Sequence, residues 1–96
     1  MEISLVIITK NEELNIERCI RSVPFASDVV VVDSFSQDRT KEIAQSLGSR
    51  VIEEEWRGFG PQKFIAVNHA KFDWVLCLDA DEALSDDLVR EIQERW

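Results

Sequence analysis

Asp28-Val29-Val30-Val31-Val32-Asp33 is a run of four β-branched residues closed at each end by a carboxylate. A strand that is apolar at every position, instead of at alternate ones, is buried on both faces, the condition of a central strand in a parallel sheet. The flanks extend this pattern. Downstream, Ile43, Ala44 and Leu47 fall at helical spacing, and Gly48 supplies a C-terminal stop. Upstream, Ile3 to Ile8 is another β-rich run, and from Leu14 the residues Ile16, Cys19, Ile20 and Val23 follow an amphipathic helical stripe that Pro24 stops. Val51-Ile52 begins a short third strand running into Glu53-Glu54-Glu55. A Gly58-Phe59-Gly60-Pro61 turn then leads to a helix with Pro61 near its first position and an end near Ala70. Trp74 to Leu78 reads as the fourth strand. Ser85 caps a last helix, whose Asp86 and Asp87 suit its positive N-terminus and whose Leu88, Ile92 and Trp96 form an apolar stripe. Strands alternating with helices are the mark of βα units on a parallel sheet.

The 96 residues have the size of one domain at most, without repeat, low-complexity tract or linker, so residues 1–96 are read as one unit. The last helix is still periodic at Trp96, and a four-stranded parallel sheet leaves an edge strand uncovered, so the domain is expected to be truncated. An apolar content of 45% with 31% charged residues is that of a soluble globular chain. Nineteen acids against eleven bases give a formal charge of −8, which repels a phosphate backbone and argues against nucleic acid as a partner. The longest aliphatic runs have four residues, against the ~20 that cross a bilayer as a helix, so no transmembrane segment is expected. The start lacks the pattern of a secretory signal, and the chain reads as cytoplasmic. Cys19 and Cys77 show no C-x-x-C spacing and read as buried small apolar residues.

In an open parallel sheet, ligands bind beyond the carboxyl ends of the strands. Those ends are polar here: Thr9-Lys10-Asn11-Glu12, Asp33-Ser34-Phe35-Ser36-Gln37-Asp38 and Asp79-Ala80-Asp81-Glu82. Asp79 and Asp81 stand two apart, where extended backbone aims both carboxylates to one side. They can hold one hard cation, Mg²⁺ or Mn²⁺, whose shell substrate phosphates complete; a solvated acidic loop has the same spacing. Asp33, closing a buried strand, needs partners, either ligand donors or the amides of its own turn. Asp38 precedes Arg39-Thr40 as an N-cap, and Asn11 holds the same relation to Glu12-Glu13. Lys63, in the first turn after Pro61, can meet a phosphate at the helix start or lie on a solvated face. His69 reads as a surface residue, the triple-Glu run as an exposed face, and Trp56, Trp74 and Trp96 as packing residues. No G-x-G-x-x-G and no Walker lysine is present, which argues against nicotinamide dinucleotide and P-loop chemistry.

The order Ile7-Ile8-Thr9-Lys10-Asn11-Glu12, Val32-Asp33-Ser34-Phe35-Ser36-Gln37-Asp38-Arg39-Thr40 and Leu78-Asp79-Ala80-Asp81-Glu82 resembles glycosyltransferase family 2 over nearly the whole chain. Trp56-Arg57-Gly58-Phe59-Gly60-Pro61-Gln62-Lys63 is similar to the bacterial lipopolysaccharide core glycosyltransferases of that family. The resemblance implies the nucleotide-sugar-binding part of a GT-A domain: a Rossmann-like α/β half-domain of four parallel strands in the order 3-2-1-4, with right-handed crossovers. It implies an inverting transferase that moves a sugar from a nucleotide-sugar donor, a UDP-sugar, to a saccharide or glycolipid acceptor at the bacterial surface. The whole enzyme would be cytoplasmic, with peripheral association at the inner face of the membrane. Thr9 and Glu12 would line the nucleoside pocket, Asp33 would bond the nucleobase, and Lys63 would approach the base or phosphates. Asp79 would lie near the ribose, and Asp81 would bind the Mn²⁺ or Mg²⁺ that bridges the diphosphate.

Phe64 stands where family members often have Asn, which departs from the pattern beside Lys63. The family's carboxylate base belongs to a later acceptor-binding half, so no catalytic base is assigned, and the 96-residue chain is expected to bind donor without transferring sugar. A non-catalytic nucleotide-binding or interaction module is the alternative. A receiver-like phosphoacceptor domain is disfavoured, because Glu53-Glu54-Glu55-Trp56 stands where its phosphorylatable Asp would follow the third strand.

Overall fold

A computed structural model of the chain describes residues 2–95. Strands and helices alternate throughout: β1 (Ile3–Thr9), α1 (Ile16–Arg21), β2 (Asp28–Asp33), α2 (Thr40–Ser46), β3 (Arg50–Glu53), α3 (Phe59–Asn68), β4 (Trp74–Asp79) and α4 (Asp86–Arg95). The four strands form one parallel sheet in the order β3-β2-β1-β4, as expected, with Val6 opposite Val30 on one side and Cys77 on the other.

Strand alternation divides the core into two layers. Leu5, Ile7, Val31 and Leu78 face α1 and α2, meeting Ile16, Cys19, Ile20 and Ala44. Val6, Ile8, Val30 and Val32 face the other way, towards Ala66 of α3. Leu5, Val6, Ile7, Val30, Val31 and Val32 have no exposed surface, which is the two-faced burial that an uninterrupted aliphatic run requires. Because α1 and α2 cover one face and α3 the other, the winding reverses between β1 and β4. That reversal is the switch point at which an open α/β sheet forms its crevice.

Local chemistry moves several boundaries from their expected places. Leu14 does not join the α1 stripe and is 91% exposed: the Asn15 and Ile16 amides both bond the Glu12 carbonyl, so the chain turns before it becomes helical. Helix α1 stops at Arg21, before Pro24, where the Ser22 hydroxyl donates to the Cys19 carbonyl at 2.7 Å. Pro61 is the third residue of α3, still in the turn whose amides have no helical acceptor, and the helix ends at Asn68. Ser85 caps α4 as expected, accepting from the Leu88 amide at 3.1 Å. The α4 stripe stays on the surface, with Leu88 42% exposed, while Trp96 lies outside the described residues. No described helix is long and apolar enough to cross a membrane.

At the amino end of the sheet, Asp28 is a hub. Its carboxylate accepts from the Ser4 hydroxyl (2.8 Å), the Lys71 amide (2.9 Å) and Arg50 (3.0 Å), so it joins β1, β2, β3 and the entry to β4. Burial alone would raise its pKa, but these donors outweigh burial and hold it below 3.8. Its stabilisation is therefore present above the unfolded-state value and is lost as pH falls through the lower folded value. Asp28→Ala should cost roughly 2 kcal/mol or more in denaturant unfolding, because Ser4 and Arg50 lose their shared acceptor. The loss of stability on acidification below about pH 4 should be shallower in Asp28→Asn than in the native chain.

Candidate functional site

The loops after β1 and β2 are fastened to each other. Asn11, at φ 53°, takes a left-handed conformation that Asn tolerates better than most residues. Its amide donates to the Ser36 hydroxyl at 2.8 Å, and its side-chain carbonyl accepts from the Gln37 amide at 2.8 Å. The Glu12 amide donates to the Thr40 hydroxyl (2.9 Å) and the Glu13 amide to Asp38 (3.2 Å). Asp38 also accepts from the Thr40 amide at 2.9 Å and from the Thr40 hydroxyl. Asp38 is not the cap residue that its position suggests, since Arg39 stands at that place, but from one residue earlier it holds the first amide of α2 and also grips the β1 loop. Asn11 caps nothing: α1 starts later, and Asn11 is a clasp between loops.

Asp33 is 1% exposed and accepts from the Ser36 amide (3.0 Å) and the Ser36 hydroxyl. Of its two candidate partners, the turn is the one that the structure supplies. Gln62 of α3, fully buried, donates to the Ser34 hydroxyl at 3.1 Å and accepts from the Arg57 amide at 3.3 Å, which ties the start of α3 to the end of β2.

At the end of β4 the backbone turns at Ala80, so Asp81 is not in extended backbone and the period-two argument for a shared side does not hold. The two acids share a site by another route. Glu82 folds back, its amide donating to the Asp79 carbonyl (2.9 Å) and its carboxylate accepting from the Asp79 amide (2.7 Å). The Ala80 amide bonds the Ile8 carbonyl at 3.2 Å, and Arg18 donates to the Asp81 carbonyl at 3.2 Å. This turn brings Asp79 and Asp81 to the walls of a cavity of about 390 Å³ that Thr9, Glu12, Trp56 and Phe59 also line. The cavity lies between the ends of β1 and β4, at the switch point.

Two buried oxygens in this region have no hydrogen-bond partner: the Thr9 hydroxyl and Asp79 Oδ1. Lys63 Nζ stands 4.0 Å from Asp79 Oδ1, near enough for charge attraction and too far for a hydrogen bond. A buried polar atom without a partner costs about 1–3 kcal/mol, so two of them beside one cavity are what a polar ligand would relieve.

The Glycosyl transferase family 2 model matches residues 4–96. The chain belongs to glycosyltransferase family 2. It is 50% identical over 93 residues to an uncharacterized glycosyltransferase of Rickettsia bellii, a match covering 96% of this chain and 32% of the relative. It is 36% identical to the lipopolysaccharide core biosynthesis glycosyltransferase LpsC of Rhizobium meliloti, over 96% of this chain and 36% of LpsC. The chain therefore spans about a third of the length of the curated relatives it matches. Among solved structures, Staphylococcus aureus TarS 1–349 superposes with a TM-score of 0.81 at 24% identity, covering 98% of this chain and 32% of that 1–349 chain, which shows the shared fold. Glucosyl-3-phosphoglycerate synthase of Mycobacterium tuberculosis, solved with UDP, is 28% identical, with a TM-score of 0.73 over 84% of this chain and 34% of that one. The GT-A architecture expected from the motifs is the one found.

Within this family member, Thr9, Glu12, Asp79 and Asp81 come together around one cavity, whereas Asp33 and Lys63 stand outside its lining. His69 is half-buried, not on the surface: its carbonyl accepts from Arg50 at 2.7 Å and its Nδ1 lies 2.9 Å from the Ile65 carbonyl. Trp56 and Trp74 are 47% and 49% exposed, so neither belongs to the core, while Trp56 packs on Phe59. Cys19 is buried and Cys77 half-buried. Burial, reinforced by the Glu82 charge, pushes the Cys19 thiol up to about 12, which leaves it inert as a nucleophile. Ser36, Gln62, Trp56 and Phe59 escaped the sequence reading as site-building residues, because turn residues and aromatics carry no spacing signal of their own.

Asp38→Ala should release the Glu13 and Thr40 amides together. The expected result is faster hydrogen exchange at Glu13, Gln37 and Thr40 with little change in the strands, and a stability loss of about 1–2 kcal/mol.

Proposed function

We propose that this chain is the donor-binding part of an inverting glycosyltransferase, with a UDP-sugar as donor and a bacterial surface saccharide or glycolipid, such as lipopolysaccharide core, as acceptor. The observation that carries this reading is the pair of unpartnered buried oxygens, Thr9 Oγ1 and Asp79 Oδ1, beside a cavity whose wall also bears Asp81. The relative named for lipopolysaccharide core biosynthesis supports the acceptor class, and the synthase solved with UDP supports the donor. We propose also that the whole enzyme works on the cytoplasmic side, as a peripheral protein at the inner face of the membrane.

The residues divide the donor between them. Thr9 and Glu12 bound the nucleoside end of the cavity, and the Thr9 hydroxyl is free to bond it. Asp33, outside the cavity's lining, is the proposed partner of the nucleobase edge: each of its oxygens carries one bond from Ser36, and a carboxylate has lone pairs to accept another. Lys63 offers its ammonium to the ribose-phosphate region beside Asp79. For a cation, the described residues contain no cluster of three His, Cys, Asp or Glu ligands, so a closed cage is not formed among them. Two carboxylates at one cavity fit a hard ion that takes most of its shell from phosphate and water. The Mycobacterium synthase was also solved with Mn²⁺ and UDP together, at 26% identity, which supports that ion class. Lys63 already offsets Asp79, so Asp81 is the carboxylate left to hold Mn²⁺ or Mg²⁺. When bound, the ion would supply positive charge for the departing nucleotide diphosphate.

We assign the catalytic base to none of the acids in this chain. Glu82 is nearest, but one of its oxygens holds the Asp79 amide at 2.7 Å. Calorimetry on the purified chain should show UDP binding that Mn²⁺ strengthens, with about a ten-fold loss in chelator and the same loss in Asp81→Ala. Asp33→Ala should weaken UDP with or without metal. Equal affinity with metal, with chelator and in Asp81→Ala would remove the metal role. With UDP-glucose and lipopolysaccharide-core acceptors, the isolated chain should form no product, and sustained transfer abolished by Asp81→Ala would show that a complete catalytic site lies within it.

A further inference from the structure

Trp56 and Phe59 touch edge to face, with ring centroids 4.9 Å apart and planes at 89°, while 47% and 61% of their surfaces remain exposed. Aromatic side chains gain most by burial, so two of them held together in water call for an occupant. Both line the cavity between the ends of β1 and β4. An edge-to-face pair also leaves ring faces unstacked, ready for a third ring.

The segment that carries them is anchored. Gly58, at φ 101°, makes the turn between the two rings. The Arg57 amide, next to Trp56, donates to Gln62, and Gln62 in turn donates to Ser34 beside Asp33. Trp56 is thus tied through one fully buried side chain to the strand end that bears the proposed nucleobase partner. Little further ordering is needed for a ligand to use it.

The occupant best suited to this wall has a flat face for the aromatic rings and polar edge atoms for the unpartnered Thr9 hydroxyl. A diphosphate has no such face, and a pyranose offers only a patch of C–H bonds ringed by hydroxyls. A nucleobase has both properties, and base stacking on an aromatic side chain is strong without depending on which base is present. We infer that Trp56, braced by Phe59, is the wall against which the nucleobase of the donor stacks. The inference rests on the donor-binding reading and deepens it by naming a specificity contact on the segment between β3 and α3.

The test compares UDP with inorganic pyrophosphate, both with Mn²⁺, on the native chain, Trp56→Leu and Trp56→Phe, with circular dichroism confirming that each variant is folded. Trp56→Leu should bind UDP about ten-fold more weakly and pyrophosphate as the native chain does, and Trp56→Phe should recover most of the UDP affinity. In a chain with Trp74→Phe and Trp96→Phe, the Trp56 emission should be quenched by UDP and not by pyrophosphate. Unchanged UDP affinity in Trp56→Leu overturns the inference and leaves donor binding standing; it would mean that the rings are covered by polypeptide instead of ligand. Equal losses for UDP and pyrophosphate also overturn it, since the role of Trp56 would then be structural. Failure of the native chain to bind UDP at all overturns the donor-site reading, and this inference with it.

Discussion

Burial of β1 and β2 on both faces leaves room for polar side chains only where those strands begin and stop. Six residues of the two strands have no exposed surface, and a polar side chain among them would lose water with nothing to replace it. Ser4, Asp28, Thr9 and Asp33, all nine-tenths buried or more, therefore sit at strand ends. The chemistry of the molecule is confined to two rims by the packing of its middle.

The two rims use their polar groups differently. At the amino rim, Asp28 and Ser4 satisfy each other, Arg50, Lys71 and Phe72, which ties the four strands together, while the buried Ser49 hydroxyl just before β3 has no hydrogen-bond partner. At the carboxyl rim, the loops after β1 and β2 are equally well bonded to each other, yet Thr9 Oγ1 and Asp79 Oδ1 are left without partners. The cost of two such atoms is comparable with a sizeable fraction of a small domain's net stability. Rigid loops around unsatisfied atoms are the arrangement expected of a site built for something else to complete, and the crevice at the winding reversal is where it is found.

The strands were legible because two-faced burial writes itself into composition: four successive valines admit few other readings. Helix ends were less so. Leu14 fits the stripe of α1 by spacing, but the turn through Glu12 is set by contacts with residues 36–40, which no local period records. The acids of the fourth strand end were found through an argument that only half applies. Their spacing suits extended backbone, whereas the Ala80 turn, closed by Glu82, is what brings them together. Trp56 was misjudged for a related reason. Size and apolarity describe what a side chain gains by burial, while its exposure depends on where the Gln62 tether leaves it.

Charge sharpens the assignment of roles within the rim. A donor diphosphate brings negative charge to a chain whose net charge is already −8 and to a cavity walled by Asp79, Asp81 and Glu12. Without compensation these carboxylates would repel it. Lys10, on the cavity wall, and Lys63, 4.0 Å from Asp79, are cations at hand. A divalent ion at Asp81 would reverse the sign of the surroundings where the phosphates must lie, which neither half-exposed lysine achieves alone. On the proposed reading, a cation would favour an anionic donor at this acidic rim, and the nucleobase, being uncharged, is the part of that donor that stacking and hydrogen bonds can recognise.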